Sequence, residues 1–201
     1  MKIYTPFYLA VRVLAYSLLT AGIFGVIRFD ALHPMGEGYF GEISVTEILQ
    51  EFILFILFVF YLFFGYKYRK IQPVANIASL FFLMSFIREF NFLIDWWIYP
   101  VLIIFAVIIW LFYRDFRKMK DSTILFFTQP PSAWLIAGFL VTFIFSRLFG
   151  QSGFWQILYD ENNYRLAKAA TEEGIELLGD FLMFISCVEF VIMRLSRKSR
   201  S

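Results

Sequence analysis

The sequence has few of the residues that most catalytic and metal sites require. His33 is the only histidine, and Cys187, inside an apolar run, is the only cysteine. A single histidine argues against a zinc site and against a histidine-based acid and base system, and a single cysteine excludes an intrachain disulfide. The chain also contains no phosphate-binding loop and no dinucleotide-binding glycine motif. Carboxylates and arginines are left as the residues that can carry chemistry.

Charged residues are also scarce, and long apolar runs take their place. Of the 201 residues, 17% are charged, 60% are hydrophobic and 22% are aromatic, and the mean hydropathy is +0.70. A soluble domain needs a polar exterior that so few polar residues cannot supply, whereas a run of about 20 apolar residues crosses a hydrocarbon layer about 30 Å thick. The composition therefore predicts an all-α, polytopic membrane protein with a single transmembrane domain over residues 1–201.

The apolar runs predict a bundle of about six transmembrane helices. The first run contains Arg12 but is longer than the core of a signal peptide, so we interpret it as a retained helix. Trp97 and Trp110 lie near the two ends of the fourth run, as expected for aromatic side chains at membrane interfaces. The predicted spans cover residues 7–27, 45–66, 73–91, 97–113, 132–149 and 175–193.

Basic residues collect at one end of the predicted spans. Clusters of lysine and arginine follow the second, fourth and sixth spans, and Lys2 precedes the first. Because positively charged loops stay in the cytoplasm, this pattern predicts that both termini are cytoplasmic. The net charge is only +2, and the clusters lie at span ends, so we interpret them as a topology signal and expect no nucleic-acid partner.

Acidic residues collect at the opposite, outer end. Of the sixteen Asp and Glu residues, all except Asp115, Asp121 and Glu189 fall on that side, which leaves thirteen. A charge within the hydrocarbon layer costs at least about 2.5 kcal/mol, so such side chains face the protein interior and pair with one another. We therefore expect four span ends to meet in one outward-facing cluster of carboxylates and arginines, formed by Glu47, Gln50, Glu51, Arg88, Glu89, Asp95, Arg147, Glu173 and Glu176.

Some members of this cluster have a purely structural alternative. Ser44 and Glu47 fit a capping box at the start of the second span, so Glu47 is either a cap or a site residue. Glu173 is either a site residue or a carboxylate that only stabilises the positive end of the last helix. Three other members lie within or close to the apolar layer, where a functional role is the first hypothesis and a structural ion pair is the alternative. These three are Arg88, Glu89 and Glu176.

Arg12 and Glu189 form a second, smaller feature at the predicted cytoplasmic end. Each lies about one helical turn inside its span, so the two charges are at matching depth. We predict a structural ion pair that joins the first and last spans.

Three segments resemble those of a group of small uncharacterised bacterial multi-pass inner-membrane proteins. The segments are residues 45–50, residues 87–92 together with Asp95, and residues 172–179. The resemblance implies a location in the bacterial inner (cytoplasmic) membrane and no particular activity. It adds weight to part of the predicted cluster, namely Glu47, Gln50, Arg88, Glu89, Asp95, Glu173 and Glu176.

Three function classes remain open, and the sequence identifies neither a substrate nor a cofactor. In the first, the protein is a binding or accessory subunit of a membrane process, and its outward-facing site holds a lipid headgroup or a membrane partner protein. In the second, it is a membrane-embedded enzyme that uses two carboxylates as acid and base on a lipid or envelope substrate. A transporter ranks third, because a transport path needs polar groups near the midplane. Carboxylates also suit Ca²⁺, Mg²⁺ or Mn²⁺, but the spacing predicts no metal ligand set. We favour binding over catalysis.

The predicted orientation can be tested with reporter fusions. Because basic loops stay in the cytoplasm, a fluorescent protein fused after Ser201 should be bright, and alkaline phosphatase inserted near Glu37 should be active. The reciprocal fusions serve as controls and should both be silent. The reverse pair of signals would contradict the orientation.

Overall fold

A computed structural model describes residues 6–34, 40, 43–93, 95–159 and 163–198 of the chain. Within these ranges every regular element is a helix, and the predicted all-α class is confirmed. The α-helices are α1 (Pro6–Leu32), α2 (Val45–Lys67), α3 (Gln72–Glu89), α4 (Ile98–Arg114), α5 (Phe116–Phe127), α6 (Ser132–Leu140), α7 (Ser146–Phe149), α8 (Ser152–Leu158) and α9 (Tyr164–Lys198).

Short irregular turns connect several of these helices. The segments Arg69–Ile71 and Phe90–Phe92 are 3-10 turns on either side of α3. Val141–Phe145 is a π-helical segment that joins α6 to α7 into one continuous helical stretch. The stretch begins directly after Pro130 and Pro131, because proline favours the start of a helix and interrupts its interior.

Four helical stretches are long and apolar enough to cross a membrane. They are Pro6–Leu32, Val45–Lys67, Arg69–Phe92 and Ser132–Phe149. The number becomes five if α4 and α5, which are bent by 97° at their junction, together form one span. The structure therefore has the helices of a membrane protein and does not confirm the predicted count of about six. Helix α9 is not among these stretches, since its apolar part also carries Glu176, Asp180 and Glu189.

The chain divides into two compact units. Unit 1 comprises Met1–Gln50 and Ile136–Ser201, and unit 2 comprises Glu51–Leu135. In unit 2 the fully buried ring of Tyr61 stacks on Phe82, with 5.6 Å between ring centroids, and lies 6.0 Å from the ring of Phe126. Aromatic pairs of this kind contribute packing energy beyond the burial of their surface, so the core of unit 2 is aromatic.

Unit 1 is organised around α9, which packs closely against the stretch that contains the π-helical segment. A Cβ atom added to Gly138 would lie 2.5 Å from the Gly179 carbonyl oxygen and 2.8 Å from the Met183 backbone nitrogen. A Cβ atom added to Gly179 would lie 2.7 Å from the Thr142 backbone nitrogen. In a membrane, small residues at such contacts let helix backbones approach each other. The two glycines therefore set the distance between these helices.

Helix α1 is held to α9 by only a few contacts. At one end, Arg12 Nε donates a hydrogen bond of 2.8 Å to Glu189 Oε1, and the Tyr16 hydroxyl donates to the same carboxylate. Toward the other end, a Cβ atom added to Gly174 would lie 2.9 Å from Ile27 Cδ1, so α1 comes close to α9 there as well. The structure thus brings Arg12 and Glu189 together as an ion pair between the first and last helices.

Enlarging either interface glycine should destabilise unit 1. We expect Gly138→Ala and Gly179→Ala each to lower the free energy of unfolding by about 1–3 kcal/mol, because the added methyl group meets backbone atoms that cannot move aside. Gly22→Ala and Gly25→Ala are matched controls, since a Cβ atom at either position meets nothing within 4 Å. Thermal unfolding in detergent measures the difference, and equal effects at all four positions would contradict the role of the interface.

The ion pair between α1 and α9 can be tested with a double-mutant cycle. Arg12→Ala and Glu189→Ala should each lower stability, because each leaves a charge without its partner near the membrane. The double variant should recover part of the loss, with a coupling energy of about 0.5–3 kcal/mol. The exposed Arg165 provides a control, since Arg165→Ala should show no coupling to Glu189→Ala. Strictly additive losses for Arg12 and Glu189 would exclude the pair.

Candidate functional site

The first turn of α2 is fixed by side chains that precede it. Ser44 Oγ accepts a hydrogen bond of 3.2 Å from the Glu47 backbone N–H, which is the N-cap half of the predicted capping box. The buried Asp30 carboxylate, at the end of α1, accepts bonds of 3.0 Å and 2.8 Å from the backbone N–H groups of Val45 and Thr46. A carboxylate is stabilised there by the positive end of the helix dipole. These contacts fix the first turn of α2, which carries Glu47.

The side chains of α2 reach two carboxyl groups on α9. Gln50 Nε2 donates hydrogen bonds of 3.2 Å to the Glu173 carbonyl oxygen and 3.1 Å to Glu173 Oε2. The carboxyl group of Glu173 also forms a hydrogen bond with that of Glu47 and lies close to that of Glu176. Glu47 therefore belongs to the cluster through its side chain as well as to the cap through its backbone.

The contact between Glu47 and Glu173 has a consequence for protonation. An ionised carboxylate has no proton to donate, so a hydrogen bond between two carboxyl groups requires one of them to be protonated. Burial, reinforced by the negative charges of Glu47 and Glu176, raises the pKa of Glu173, which precedes the predicted sixth span, to about 9. Glu173 therefore keeps its proton at neutral pH.

Arg147 forms the positively charged part of the cluster. It lies in α7, and its Nη1 atom is 3.0 Å from Glu172 Oε1 while its Nη2 atom is 2.7 Å from Glu176 Oε1. Lys168 Nζ lies 3.9 Å from Glu172 Oε2. A Cβ atom added to Gly150 would lie 2.5 Å from Glu172 Oε1, so the glycine leaves room for this carboxylate beside Arg147. The arginine thus bridges two successive turns of α9.

A buried polar contact lies one turn deeper along α9. Thr142 Oγ1, in the π-helical segment, is 3.1 Å from Asp180 Oδ1 and 3.3 Å from the Glu176 carbonyl oxygen. Asp180 is only 2% exposed. Ser146 Oγ donates a hydrogen bond of 2.5 Å to the Thr142 carbonyl oxygen, which the π-helical geometry leaves outside the regular α-helical pattern. π-Helical turns occur often at functional sites, and this one lies directly before Arg147.

The structure therefore brings together residues from three of the four predicted span ends. These are Glu47 and Gln50 of α2, Arg147 of α7, and Glu173 and Glu176 of α9. We define this group, together with Glu172, Lys168, Thr142 and Asp180, as the carboxylate cluster.

The fourth predicted span end lies in unit 2. There the Arg88 Nε atom donates a hydrogen bond of 3.1 Å to Glu89 Oε1, so these two neighbours pair with each other. Glu51 is half-buried and Asp95 is exposed. The proposed membership of Arg88, Glu89, Glu51 and Asp95 in one site with Glu176 stays a prediction.

Five contributors to this region were not among the predicted site residues, namely Asp30, Thr142, Lys168, Glu172 and Asp180. Asp30 and Glu172 are acidic residues near span ends, and a count of charges does not distinguish them from surface carboxylates. Thr142 and Asp180 meet because Gly138 and Gly179 allow close backbone contact. Small residues four positions apart, as at 138 and 142, are the sequence signal that would have indicated this contact.

The donor set of the cluster bears on metal binding. Among the described residues, no three or more His, Cys, Asp or Glu side chains are arranged to hold a metal ion. Glutamate oxygens in the cluster face Arg147, Lys168, Gln50 or one another.

Comparison with protein-family models, with curated proteins and with solved structures gives no match to this chain. Its function is therefore inferred from the chemistry of the carboxylate cluster.

Proposed function

We propose that the protein is a multi-pass binding protein, or an accessory subunit of a membrane process, whose carboxylate cluster holds a ligand through a positively charged group. The observation that carries this proposal is the close approach of the carboxyl groups of Glu47, Glu173 and Glu176 beside Gln50 and Arg147. When two carboxyl groups share a proton and that proton leaves, an ammonium group can bind between them in its place.

The charge balance of the cluster supports a cationic ligand. It contains five carboxyl groups, Glu47, Glu172, Glu173, Glu176 and Asp180, against two cations, Arg147 and Lys168. Even with one proton on Glu173, the cluster keeps an excess of negative charge. Since charges near a membrane are stabilised by pairing, a bound ammonium group would lower the electrostatic cost of this excess.

The number of neighbouring acceptors also favours an ammonium ion. A primary ammonium carries three N–H donors, and the carboxyl groups of Glu47, Glu173 and Glu176 provide acceptor oxygens close to one another. A lipid headgroup with an amine matches this arrangement and comes from the bilayer in which the helices lie.

The membrane arrangement that we propose has about six spans, with both termini in the cytoplasm of a bacterial inner membrane. The sixth span would be the part of α9 at residues 175–193, whose acidic residues face other helices: Asp180 contacts Thr142 and Glu189 contacts Arg12. Pairing of this kind lets a helix with internal charges cross the hydrocarbon layer. The carboxylate cluster would then lie at the outer end of the bundle.

A membrane-embedded enzyme is the second candidate, and the same proton favours it. A protonated carboxyl group beside an ionised one can act as general acid and general base, because their environments separate the two pKa values. Arg147 could then hold an anionic part of a lipid or envelope substrate. Binding and catalysis are separated by turnover: an enzyme variant with Glu47→Gln would still bind its substrate but would not convert it.

The proposed function predicts that amine binding increases with pH. Dodecylamine should raise the melting temperature of the protein in an uncharged detergent, whereas dodecanol should not. Because the amine displaces the proton of Glu173, its affinity should rise by up to about tenfold per pH unit between pH 6 and 8. In Glu173→Gln the side chain resembles the protonated form, so the protein should stay folded, bind the amine more weakly and lose the pH dependence.

Asp121→Asn provides the matched control, because Asp121 is an exposed carboxylate outside the cluster. This variant should bind dodecylamine as the unmodified protein does. Equal binding of dodecylamine and dodecanol, or an unchanged pH profile in Glu173→Gln, would contradict the proposed function.

A further inference from the structure

A separate cavity of about 410 Å³, which is open to the protein surface, lies in unit 1 between α1 and α9. Phe24, Ile27 and Ala31 of α1 line one side, and Leu166 and Ala170 of α9 line the other. Its volume is within the range of about 300–1,000 Å³ that is usual for ligand sites. None of the residues of the carboxylate cluster lines this cavity.

The cavity is part of the contact between the two helices. Ile27, which lines it, comes close to α9 at Gly174, one turn after Ala170. The absence of a side chain at Gly174 therefore lets α1 touch α9 at one edge of the cavity, while the small side chains of Ala31 and Ala170 leave space beside this contact.

Among the residues that the structure describes, Arg28 is the only charged one that lines the cavity. It is exposed, and it takes part in no ion pair or hydrogen bond with any residue that the structure describes. By contrast, Arg12, Arg114 and Arg147 each pair with a carboxylate. The cavity therefore combines an apolar interior with one cation that has no carboxylate partner among the described residues.

We propose that this cavity binds an acyl chain of an anionic phospholipid, whose phosphate group pairs with Arg28. The apolar lining suits a hydrocarbon chain, and guanidinium groups bind phosphate through charge-assisted hydrogen bonds. Basic pockets between membrane helices bind anionic headgroups in this way. Within the described ranges no carboxylate lines the cavity to receive the ammonium of a zwitterionic lipid, so an anionic lipid is the better match. The inference does not depend on the proposed function of the carboxylate cluster.

The proposal is tested by lipid titration of the full-length protein after delipidation in an uncharged detergent. Native mass spectrometry measures the dissociation constants of phosphatidylglycerol, of phosphatidylcholine with the same acyl chains, and of glycerol phosphate. Phosphatidylglycerol should bind at least about tenfold more tightly than phosphatidylcholine, because it alone gains the charge-assisted contact without adding an unpaired ammonium. Glycerol phosphate should not bind measurably, because it has no acyl chain.

Two variants separate the headgroup contact from the chain contact. Arg28→Gln should weaken the binding of phosphatidylglycerol until its affinity equals that of phosphatidylcholine. Ala31→Phe, which fills the cavity from an exposed position, should weaken the binding of both lipids. Arg165→Gln and Ala21→Phe are matched controls outside the cavity and should change neither.

Equal binding of the two lipids, or an unchanged affinity for phosphatidylglycerol in Arg28→Gln, would overturn the headgroup assignment. Binding of glycerol phosphate as tight as that of the lipid, or an unaffected Ala31→Phe variant, would overturn the acyl-chain assignment. Thermal unfolding of each variant without lipid confirms that the variant is folded. If Ala31→Phe is not folded, Ala170→Leu serves as the second cavity-filling variant.

Discussion

The rest of unit 1 is positioned by one backbone contact. In this contact α9 packs against the stretch that contains α6, the π-helical segment and α7. Between helices in lipid there is little hydrophobic driving force, so close packing and polar contacts hold them together. Gly138 and Gly179 provide the close packing, and the contact of Thr142 with Asp180 follows one turn along. Arg147 lies in the next turn and reaches Glu172 and Glu176. The arginine can pair with both carboxylates only because the glycines bring the two backbones close.

The electrostatics of the carboxylate cluster follow from this packing. Glu176 forms an ion pair with Arg147 at 2.7 Å, whereas Glu173 contacts Gln50 and Glu47 and forms no ion pair with any residue that the structure describes. Glu173 and Glu176, one turn apart on one helix, thus have different partners because they face different helices. In the function that we propose, a ligand replaces the proton of Glu173, and a second arginine beside this carboxyl group would prevent that exchange.

The sequence predicts the membrane character and several of the contacts, and it does so where a physical cost forces the outcome. Charges at matching depth, such as Arg12 and Glu189, pair because a lone charge in hydrocarbon is expensive. The same cost explains why Glu47, Gln50, Arg147, Glu173 and Glu176 come together from separate spans. The π-helical segment, the Asp30 contact with the start of α2 and the bend of 97° between α4 and α5 were not predictable. Each depends on which neighbour is near, and local sequence does not contain that information.

Helix α1 is weakly attached, so the polar contacts near its two ends largely determine its position. Only 6% of the most apolar 18-residue segment of α1 is buried, so most of this helix is left for contact with lipid. It is fixed by Arg12 and Tyr16 against Glu189, by Ile27 against Gly174, and by Asp30 against the N–H groups of Thr46 and Val45. Asp30 of α1 caps the helix that carries Glu47. This one contact therefore links the position of α1 to the geometry of the carboxylate cluster. A change that removes the Asp30 carboxylate therefore acts on the helix cap and on the cluster at the same time, while a change at Arg12 acts on the ion pair with Glu189 at the opposite end of α1.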